Sequence, residues 1–575
     1  MSTPMKSELT TRDSYEQLPD GARQRKESAV KRLLYRVLAY YSHVSAPKEG
    51  PAQSLEDVRI YFGLVRCRPW IIIIAGIITQ FLYGSVYSWS IFNGPINERI
   101  YGDPNANKAQ IAYYLALGVL GLTGALMGPW IESHQPRIST LIGALLFFAG
   151  NMISGVAMSA KLIGLLYFGY GFVCGMGLGL GYVATVDVVT KWFPKTRGLA
   201  SGIAVAGFGA GSMAFSTVNK ALIDRLGLPA TFFLLGAIML VAQGNCSQLM
   251  AIPPAGWNTN GVVVVGGSEA ISAQGRENIG RVLGQGPVAE GAMDGPQHHH
   301  HQQQQQHSEL FESNRPVVHL SLAAALSSRD FWFLYVGFLA NILFGLVIIS
   351  NLATMVTNLF GEPGARGRPP PLSPEVVVTI EAGFNTAGRL FTGMFSDRLG
   401  RKTTFLGLLG VQVVVIALLQ HALVDTVFWE FCVLLWVATW CYGGGFGMIP
   451  AFLADMFGVN NTSSCHGIFL TAWSISSIGG GLLFNGIITH LQDHGRSPSD
   501  PYIYRVNLYW MLAVVIVGFL STLLVRATAR DRLFPAAPGQ VLRMRVFGRI
   551  FRVCHVREDA VSIEAGMHQH LHYQL

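Results

Sequence analysis

Twelve apolar segments, each long enough to cross a membrane, are the feature that most constrains what this chain can fold into. Crossing the hydrocarbon core takes roughly 20 mostly apolar residues in a helix. Barrel strands are shorter, and other backbone forms leave polar groups unpaired in lipid. The sequence therefore predicts an all-α polytopic membrane protein. The predicted helices cover about 69–92, 109–131, 137–158, 162–187, 198–219, 228–251, 330–357, 375–396, 402–421, 427–453, 466–488 and 505–526.

The distribution of charge predicts the orientation of these helices. Only 13% of the residues are charged, against about a quarter in soluble domains. If both termini are cytosolic and residues at the ends of the spans are counted with the loops, 31 of the 41 Lys and Arg fall in cytosolic segments and nine in outside loops, while Arg389 alone lies in the interior of a span. This is the positive-inside bias. The basic excess therefore indicates topology rather than nucleic-acid binding, and we expect a multi-pass protein of the plasma membrane.

Several function classes lack support in the residues. The seven cysteines are scattered without a CxxC pair, so we expect no disulfide framework and no metal site. The glycines of the apolar segments follow no strand, which argues against nucleotide binding. No HExxH motif, no nucleophile–base pair and no cluster of membrane His and Asp is present. We therefore predict that the protein is not an enzyme and has no cofactor.

A polar segment between the sixth and seventh helices divides the chain into two sets of six. It is rich in Gly, Gln and Ser and contains a His/Gln run, Gln297–His307. Such composition predicts a disordered linker. Basic apolar stretches in both tails predict contact with anionic lipids of the inner leaflet. The predicted units are an N-terminal cytosolic tail (1–68, with an amphipathic helix at 30–44), a six-helix bundle (69–251), the cytosolic linker (252–328), a second six-helix bundle (329–527) and a basic cytosolic tail (528–575).

The two sets of helices resemble copies of one another. Three short patterns recur with a nearly constant separation of 261 or 265 residues. A parallel repeat of six helices places a central pocket between two bundles, which can rock to expose that pocket alternately. The corresponding glycines are Gly84 and Gly345, Gly128 and Gly393, and Gly202 and Gly467.

A glycine- and charge-containing loop supports this interpretation. The stretch GMFSDRLGRK, Gly393–Lys402, resembles the signature loop of the major facilitator superfamily. Its N-terminal counterpart, GPWIESHQPR, departs from that pattern, because Glu132 replaces Asp and Pro136 occupies the place of the second glycine. The resemblance implies that both loops take part in gating. The residues predicted for that role are Gly128, Glu132, Gly393, Asp397, Arg398, Gly400 and Arg401.

Further stretches narrow the resemblance to one branch. VYSWSIF (Val86–Phe92), KWFPKTRGLASGIAVAGFGAG (Lys191–Gly211) and GRLFTGMFSDRLGRK (Gly388–Lys402) are similar to the oxalate/formate antiporters and their monocarboxylate transporter relatives. The resemblance covers both helical halves. It implies the facilitator fold and alternating-access transport of a small organic anion. We expect the protein to act as a monomer.

Arg389 is the leading candidate for binding that anion. An arginine at the middle of a membrane helix costs at least ~2.5 kcal/mol, so it is normally paired or faces a cavity. It could pair internally with Glu381 or extend to the nearer interface. A guanidinium can instead bind a carboxylate with two parallel hydrogen bonds. The resemblance implies this second role, and Asn385, one turn earlier, is expected to share the face of Arg389.

Aromatic residues supply further candidates for the pocket. Tyr83 and Tyr87 share a face of the first helix, and Tyr182 in the fourth helix is a similar candidate. Trp89 fits an aromatic belt at the membrane interface better. In the resembled oxalate-handling proteins, the position that corresponds to Trp473 holds a lysine. One cation suits one carboxylate, which favours a monocarboxylate such as formate, lactate or pyruvate.

The sequence offers candidates for two further roles. His466 could supply a second positive charge, although it lies near the cytosolic end of its helix. Glu381 is the candidate for proton coupling, because a membrane carboxylate that titrates can carry a proton. We therefore predict secondary transport of an organic anion by proton symport or anion exchange. The alternatives are a neutral or zwitterionic substrate, and a sensor that has kept the fold without transporting.

Overall fold

Helices account for almost all of the described residues in both apolar halves. The computed structural model describes residues 59–104, 106–193, 196–253, 322–361, 371–425, 427–458, 461–526, 540–546 and 549–554. Within these ranges, ten helices are long and apolar enough to cross a membrane. The prediction of an all-α polytopic protein is confirmed.

Two features raise the number of crossings in the described ranges to twelve. The helix Arg197–Leu249 has 53 residues and breaks at Gly227, whose φ of 76° ends one helix and allows the chain to reverse. Pro374–Leu399 is a 26-residue helix that is less apolar because it carries Arg389 and several other charges. The spans are span 1 (Pro69–Ser88, continued by Ser90–Tyr101), span 2 (Gln110–Ser133), span 3 (Pro136–Ala160), span 4 (Ile163–Trp192), spans 5 and 6 (Arg197–Leu249, divided at Gly227), span 7 (Arg329–Phe360), span 8 (Pro374–Leu399), span 9 (Arg401–Asp425), span 10 (Phe428–Phe457), span 11 (Thr462–Asp493) and span 12 (Pro501–Leu523).

Three spans contain irregular turns. Span 1 is a 3₁₀-helix over Gly84–Ser88, whereas spans 4 and 11 have π-helical turns over Tyr167–Cys174 and Ile475–Gly480. Such turns often lie near functional sites, because they change the direction in which the following side chains point. In span 1 the change separates two tyrosines that a regular helix would align.

The two halves meet along two helix pairs. Span 5 packs against span 8, and span 2 packs against span 11. Glycines bring the backbones together, since a Cβ on Gly202 would lie 2.6 Å from the carbonyl oxygen of Arg389, and one on Gly128 would lie 2.8 Å from Cα of Ser464. Small residues allow this close approach between membrane helices. The pairing of span 2 with 11 and of span 5 with 8 agrees with a twofold relation between repeated halves.

Short elements flank the spans. Strands β1 (Arg59–Ile60) and β2 (Val65–Arg66) form an antiparallel hairpin before span 1. Strands β3 (Gln540–Val546) and β4 (Arg549–Cys554) form another in the predicted basic tail. The amphipathic helix at 30–44 and the His/Gln run lie outside the described residues. The last part of the predicted linker contains a helix, Leu322–Leu326.

Candidate functional site

Arg389 lies in the middle of span 8 and is completely buried at the contact between the two halves. Its Nε donates to Oδ1 of Asn385 at 2.9 Å, and its Nη1 donates to the carbonyl oxygen of Val205 on span 5 at 3.2 Å. Its Nη2 has no hydrogen-bond partner among the described residues. One face of the guanidinium fork therefore keeps an unused donor inside the protein.

Aromatic rings from both halves surround this guanidinium. The Cζ atom lies 5.6 Å from the ring centre of Tyr87 and 5.4 Å from that of Phe208. It also lies 5.9 Å from the ring of Tyr442 and 5.3 Å from that of Phe446. Each such contact attracts a cation by about 0.5–2 kcal/mol. The rings stabilise the charge without neutralising it, so the positive charge stays available to an anion.

Asn385 connects Arg389 to Glu381 along one face of span 8. Nδ2 of Asn385 is 3.5 Å from Oε1 of Glu381, while its Oδ1 accepts from Arg389. All three residues are buried and are spaced four residues apart. In the described part of the chain Glu381 forms no ion pair with Arg389. The internal pairing considered from the sequence is therefore replaced by an amide bridge.

A second group of polar atoms lies next to the aromatic rings and lacks partners in the described structure. It consists of the hydroxyl of Tyr182, Nε1 of Trp473 and both ring nitrogens of His466, all fully buried or nearly so. The Trp473 ring stacks on Phe446 at 4.3 Å and lies 5.5 Å from the ring of Tyr182. These donors border the same aromatic cluster that holds Arg389.

Tyr87 closes over the guanidinium from the other half. Its hydroxyl contacts the hydroxyl of Tyr442, and its ring packs edge-on against Phe208. The structure therefore brings together Arg389, Asn385 and Tyr87. Two further predicted residues, Tyr182 and Trp473, contact the rings of Phe208 and Phe446 that surround Arg389. Three residues of this group, Phe208, Tyr442 and Phe446, were not predicted from the sequence, since an aromatic residue in an apolar helix looks like ordinary core.

Tyr83 does not join this site. Its hydroxyl approaches the carbonyl oxygen of Gly177 at 3.4 Å, and its ring packs against Phe147 within the N-terminal half. The expectation that it shares a face with Tyr87 assumed a regular α-helix. The 3₁₀ turn over Gly84–Ser88 winds the chain more tightly, which rotates Tyr87 toward the centre and leaves Tyr83 between spans 1, 3 and 4.

Trp89 is also placed differently from the expectation. It is 1% exposed, its ring packs 4.1 Å from that of Tyr170, and its Nε1 donates to the carbonyl oxygen of Ala109. An interfacial belt residue would be exposed to lipid headgroups. Trp89 is instead part of the core of the N-terminal half.

The predicted gating loops meet at one end of the molecule, called here the charged end. Asp397 accepts hydrogen bonds from the backbone amides of Gly198 and Leu199 at 3.1 and 2.9 Å. It therefore caps the first turn of span 5 in the other half, where the helix dipole favours a negative charge. Arg401 pairs with Asp397 at 2.6 Å and with Asp455 at 2.9 Å.

Glu132 performs the corresponding role for the other helix pair. Its Oε1 accepts from the backbone amide of Ser463 at 2.7 Å, at the first turn of span 11, and its Oε2 pairs with Lys191 at 3.0 Å. Lys191 also pairs with Asp187 at 2.7 Å. The altered N-terminal loop thus retains the contact between halves although its sequence departs from the signature.

The other members of the loops differ in their surroundings. Gly393 and Gly198 lie in opposite halves and are so close that a Cβ on either residue would overlap the backbone carbonyl oxygen of the other. Gly400 ends span 8 with a φ of 95°, a conformation that favours glycine. Arg398 is exposed and, among the described residues, has no ion pair. Gly128 lies against Ser464, so five of the seven predicted residues, all but Arg398 and Gly400, line the contact between halves.

The opposite end of the molecule is closed by uncharged groups. Nδ2 of Asn351 donates to the hydroxyl of Tyr114 at 3.0 Å, and Nδ2 of Asn93 donates to the carbonyl oxygen of Ser350 at 3.2 Å. Both bonds join the N-terminal half to span 7. With contacts at both ends, the Arg389 side chain between them is fully shielded from solvent.

The arrangement has the chemistry to bind an anion. Within the described residues, no three His, Cys, Asp or Glu side chains are grouped so as to hold a metal ion. Fold and site together define a twelve-span membrane protein with an enclosed central cation between two repeated halves.

The comparisons agree with this class. The profile of the Major Facilitator Superfamily matches residues 77–365, slightly more than half of the chain. The chain belongs to this superfamily of membrane transporters.

Curated relatives are similar over most of the chain at low identity. An uncharacterized MFS-type transporter of Escherichia coli, YhjX, is 26% identical over 71% of this chain and 86% of its own length. The oxalate:formate antiporter of Oxalobacter formigenes is 24% identical over 74% of this chain and 87% of its own length. Monocarboxylate transporter 9 of Rattus norvegicus is 31% identical over a shorter stretch, 32% of this chain and 35% of the relative.

Proposed function

We propose that the protein is a secondary active transporter of a small organic anion, most simply a monocarboxylate, that works by alternating access. The observation that carries the proposal is the Nη2 of Arg389, which is buried between the two halves and has no hydrogen-bond partner among the described residues, beside donors that also lack one there. An unpaired buried cation is costly, and an anionic substrate would compensate it. Relatives named for oxalate, formate and monocarboxylates support this direction.

One cation in the site favours one carboxylate. A dianion taken out of water needs two compensating charges, and among the described residues around the aromatic cluster only Arg389 is positively charged. Trp473 and Tyr182 offer neutral hydrogen-bond donors instead of a second cation. His466 borders Tyr182 with both ring nitrogens unpartnered, and it is the residue that could extend the site toward the charged end.

The side chains would divide the work of binding. Arg389 binds the carboxylate, Asn385 fixes the plane of the guanidinium, and Tyr87 closes the site from the other half. Glu381 is the candidate proton carrier, since it lies on the same face of span 8 as Arg389. Its protonation together with substrate binding would couple the two fluxes as symport, whereas exchange needs no titrating group.

The setting in the cell is part of the same proposal. The charged end carries the basic loops, so the positive-inside rule places it in the cytosol together with both termini. We propose residence in the plasma membrane as a monomer, with basic tail segments near anionic inner-leaflet lipids. Accessibility of tags at each terminus in intact cells tests this orientation, and a tag reached from outside would contradict it.

The test of the proposal is uptake into proteoliposomes. We would measure labelled formate, lactate, pyruvate and oxalate, with and without an inward proton gradient, and with internal anion present or absent. We expect uptake of a monocarboxylate. Arg389→Gln removes the charge-assisted hydrogen bonds, worth about 2 kcal/mol or more, and should lower kcat/KM at least about 30-fold.

The matched control is Arg99→Gln. Arg99 is another arginine whose Nε donates to a backbone carbonyl, that of Met158 at 2.8 Å, but it lies outside the central site. This variant should transport normally. If folded wild-type protein moves no anion, the transporter proposal for anions is wrong, and a neutral solute or a sensor becomes the better explanation. An equal loss of uptake in both variants would contradict the proposal that Arg389 binds the substrate carboxylate.

A further inference from the structure

A strained turn precedes the first span. The residues between β1 and β2 include Tyr61 and Phe62, whose φ angles are 51° and 55°. The left-handed conformation costs roughly 1–2 kcal/mol for residues other than glycine. Bulky aromatic residues adopt it only where the surroundings impose it, and such strain is concentrated at functional segments.

The turn is held in place by the N-terminal half. The backbone amide of Tyr61 donates to the carbonyl oxygen of Gln248 at 3.0 Å, and Nη2 of Arg137 donates to the carbonyl oxygen of Arg59 at 3.1 Å. Ile60 is fully buried beneath the turn. The hairpin is thus fixed to spans 3 and 6 at the charged end, and its tip has a defined direction.

That tip presents apolar side chains outward. Phe62 is 73% exposed and Leu64 is 75% exposed, although a loop at this position has no need of large apolar residues. Span 1 begins five residues later and exposes Trp70, Ile74 and Ile78, one residue per turn, on its outer face. The exposed tip therefore comes just before the exposed apolar stripe of span 1 in the chain, where span 1 is expected to enter the membrane.

The same segment carries exposed positive charge. Arg66 and Arg68 flank the tip on its C-terminal side, both are exposed, and neither forms an ion pair with another described residue. Basic residues beside a membrane surface gain about 1 kcal/mol each from anionic lipids. An apolar tip with adjoining arginines is the pattern of a segment that lies in the interface.

We propose that this hairpin is a membrane-surface anchor that binds anionic phospholipid. Phe62 and Leu64 lie at the boundary between headgroups and acyl chains, and Arg66 and Arg68 bind lipid phosphate. Because the hydrogen bonds of the hairpin to described residues outside it reach the N-terminal half, the hairpin holds that half at a fixed depth while the other half moves. This function is separate from the binding of substrate at Arg389.

The test uses the full-length protein in lipid vesicles. A spin label on Leu64→Cys reports depth through its relaxation by oxygen, which partitions into lipid, and by a water-soluble nickel chelate. Val241→Cys, at a site 67% exposed on span 6, gives the lipid reference. Ser497→Cys, in the exposed loop between spans 11 and 12, gives the water reference. Burial raises the pKa of the nearby Cys67 thiol, against the opposite effect of Arg137, so this native thiol should label poorly.

We expect the Leu64→Cys label to resemble the Val241→Cys label in vesicles that contain phosphatidylserine, and to shift toward water in phosphatidylcholine alone. The double substitution R66Q and R68Q should abolish this dependence on phosphatidylserine. A label that matches Ser497→Cys in both vesicles would overturn the proposal, as would one shielded from both oxygen and nickel, which indicates cover by protein. Dependence on phosphatidylserine that survives in the double variant would overturn the role of the two arginines.

Discussion

Arg389 is bound on both sides of the contact between halves, through Asn385 on its own helix and Val205 on span 5. The bond to a backbone carbonyl of the other half means that the guanidinium must change partners whenever span 5 moves away from span 8. A bound carboxylate can replace that carbonyl as acceptor. The Arg389 guanidinium is therefore also a group whose hydrogen bonds differ between the open and closed states.

The neutral donors at the far side of the rings should set substrate preference. Trp473→Phe keeps a ring against Phe446 but removes the unpartnered Nε1 donor. A neutral hydrogen bond contributes about 0.5–1.5 kcal/mol, so uptake of a hydroxy or oxo acid should fall about two- to tenfold. Uptake of the alkyl acid of equal length should change little. Competition assays with such pairs measure the ratio, and equal loss for both acids would contradict a hydrogen bond from Trp473 to substrate.

An isosteric substitution of Glu381 can separate proton coupling from the binding of substrate by Arg389. Glu381→Gln retains an oxygen for the Asn385 amide but cannot release a proton. If Glu381 carries the coupled proton, accumulation driven by a proton gradient should be lost while exchange of labelled for unlabelled substrate continues. Asn385→Leu serves as the comparison, because it removes the bridge to Arg389 and should reduce both activities. Full gradient-driven accumulation in Glu381→Gln would exclude this residue as the carrier.

The sequence identified those site residues whose chemistry is unusual for their surroundings. Arg389 is the single Lys or Arg that lies away from the ends of a predicted span, and Asn385 follows from helical spacing. Phe208, Tyr442 and Phe446 could not be identified in this way, because aromatic residues are common in apolar helices and only the packing of the two halves brings them to one guanidinium. Fold class and the twelve crossings were predictable, since segment length and hydropathy determine them.

At the scale of elements, local winding decides which side chains face the centre. A regular first helix would keep Tyr83 and Tyr87 within about one turn on one face. The 3₁₀ stretch Gly84–Ser88 instead sends only Tyr87 to the site. This 3₁₀ stretch begins at Gly84, where a Cβ would overlap the backbone of Phe208 on span 5. The close approach of spans 1 and 5 could not be inferred from spacing along one segment.

The crossing of spans 5 and 8 supports a prediction about stability. Gly202→Ala would put a methyl group 2.6 Å from the carbonyl oxygen of Arg389, on backbone that cannot move aside easily. Such overpacking costs about 1–3 kcal/mol, so the melting temperature in detergent should fall and uptake should decrease. Gly407→Ala is the matched control, since no atom lies within 4 Å of its Cβ position on span 9. Alanine favours helix over glycine, so this variant should be unchanged or slightly stabilised. Equal destabilisation of both variants would show that close packing at Gly202 is unimportant.

On the scale of the whole molecule, the two ends are closed by different chemistry. At the charged end, Asp397 and Glu132 cap helices of the opposite half. Arg197 of the N-terminal half also forms an ion pair with Asp455 of the C-terminal half at 3.1 Å. At the other end, contacts such as that of Tyr114 with Asn351 are neutral hydrogen bonds. Charge-assisted bonds are roughly twice as strong as neutral ones. The empty protein should therefore open more readily at the neutral end.

This difference predicts opposite effects of two conservative changes. Asp397→Asn removes the charge that caps span 5 and pairs with Arg401, so the charged end should open more often. Tyr114→Phe removes the hydroxyl that Asn351 contacts and should favour opening at the other end. Spin-label pairs measure each opening, with His134→Cys and Arg398→Cys across the charged end, and Ala160→Cys and Ser497→Cys across the opposite end.

In Asp397→Asn, the distance distribution at the charged end should gain a longer component while the opposite end stays closed. A loss of about 1.4 kcal/mol changes the ratio of the two states tenfold, so the new component should be readily visible. Tyr114→Phe should lengthen only the opposite pair, and by a smaller population because a single neutral bond is lost. If either substitution lengthened both pairs together, the ends would not be alternating gates, and rocking of two rigid halves about Arg389 would be the wrong description of this protein.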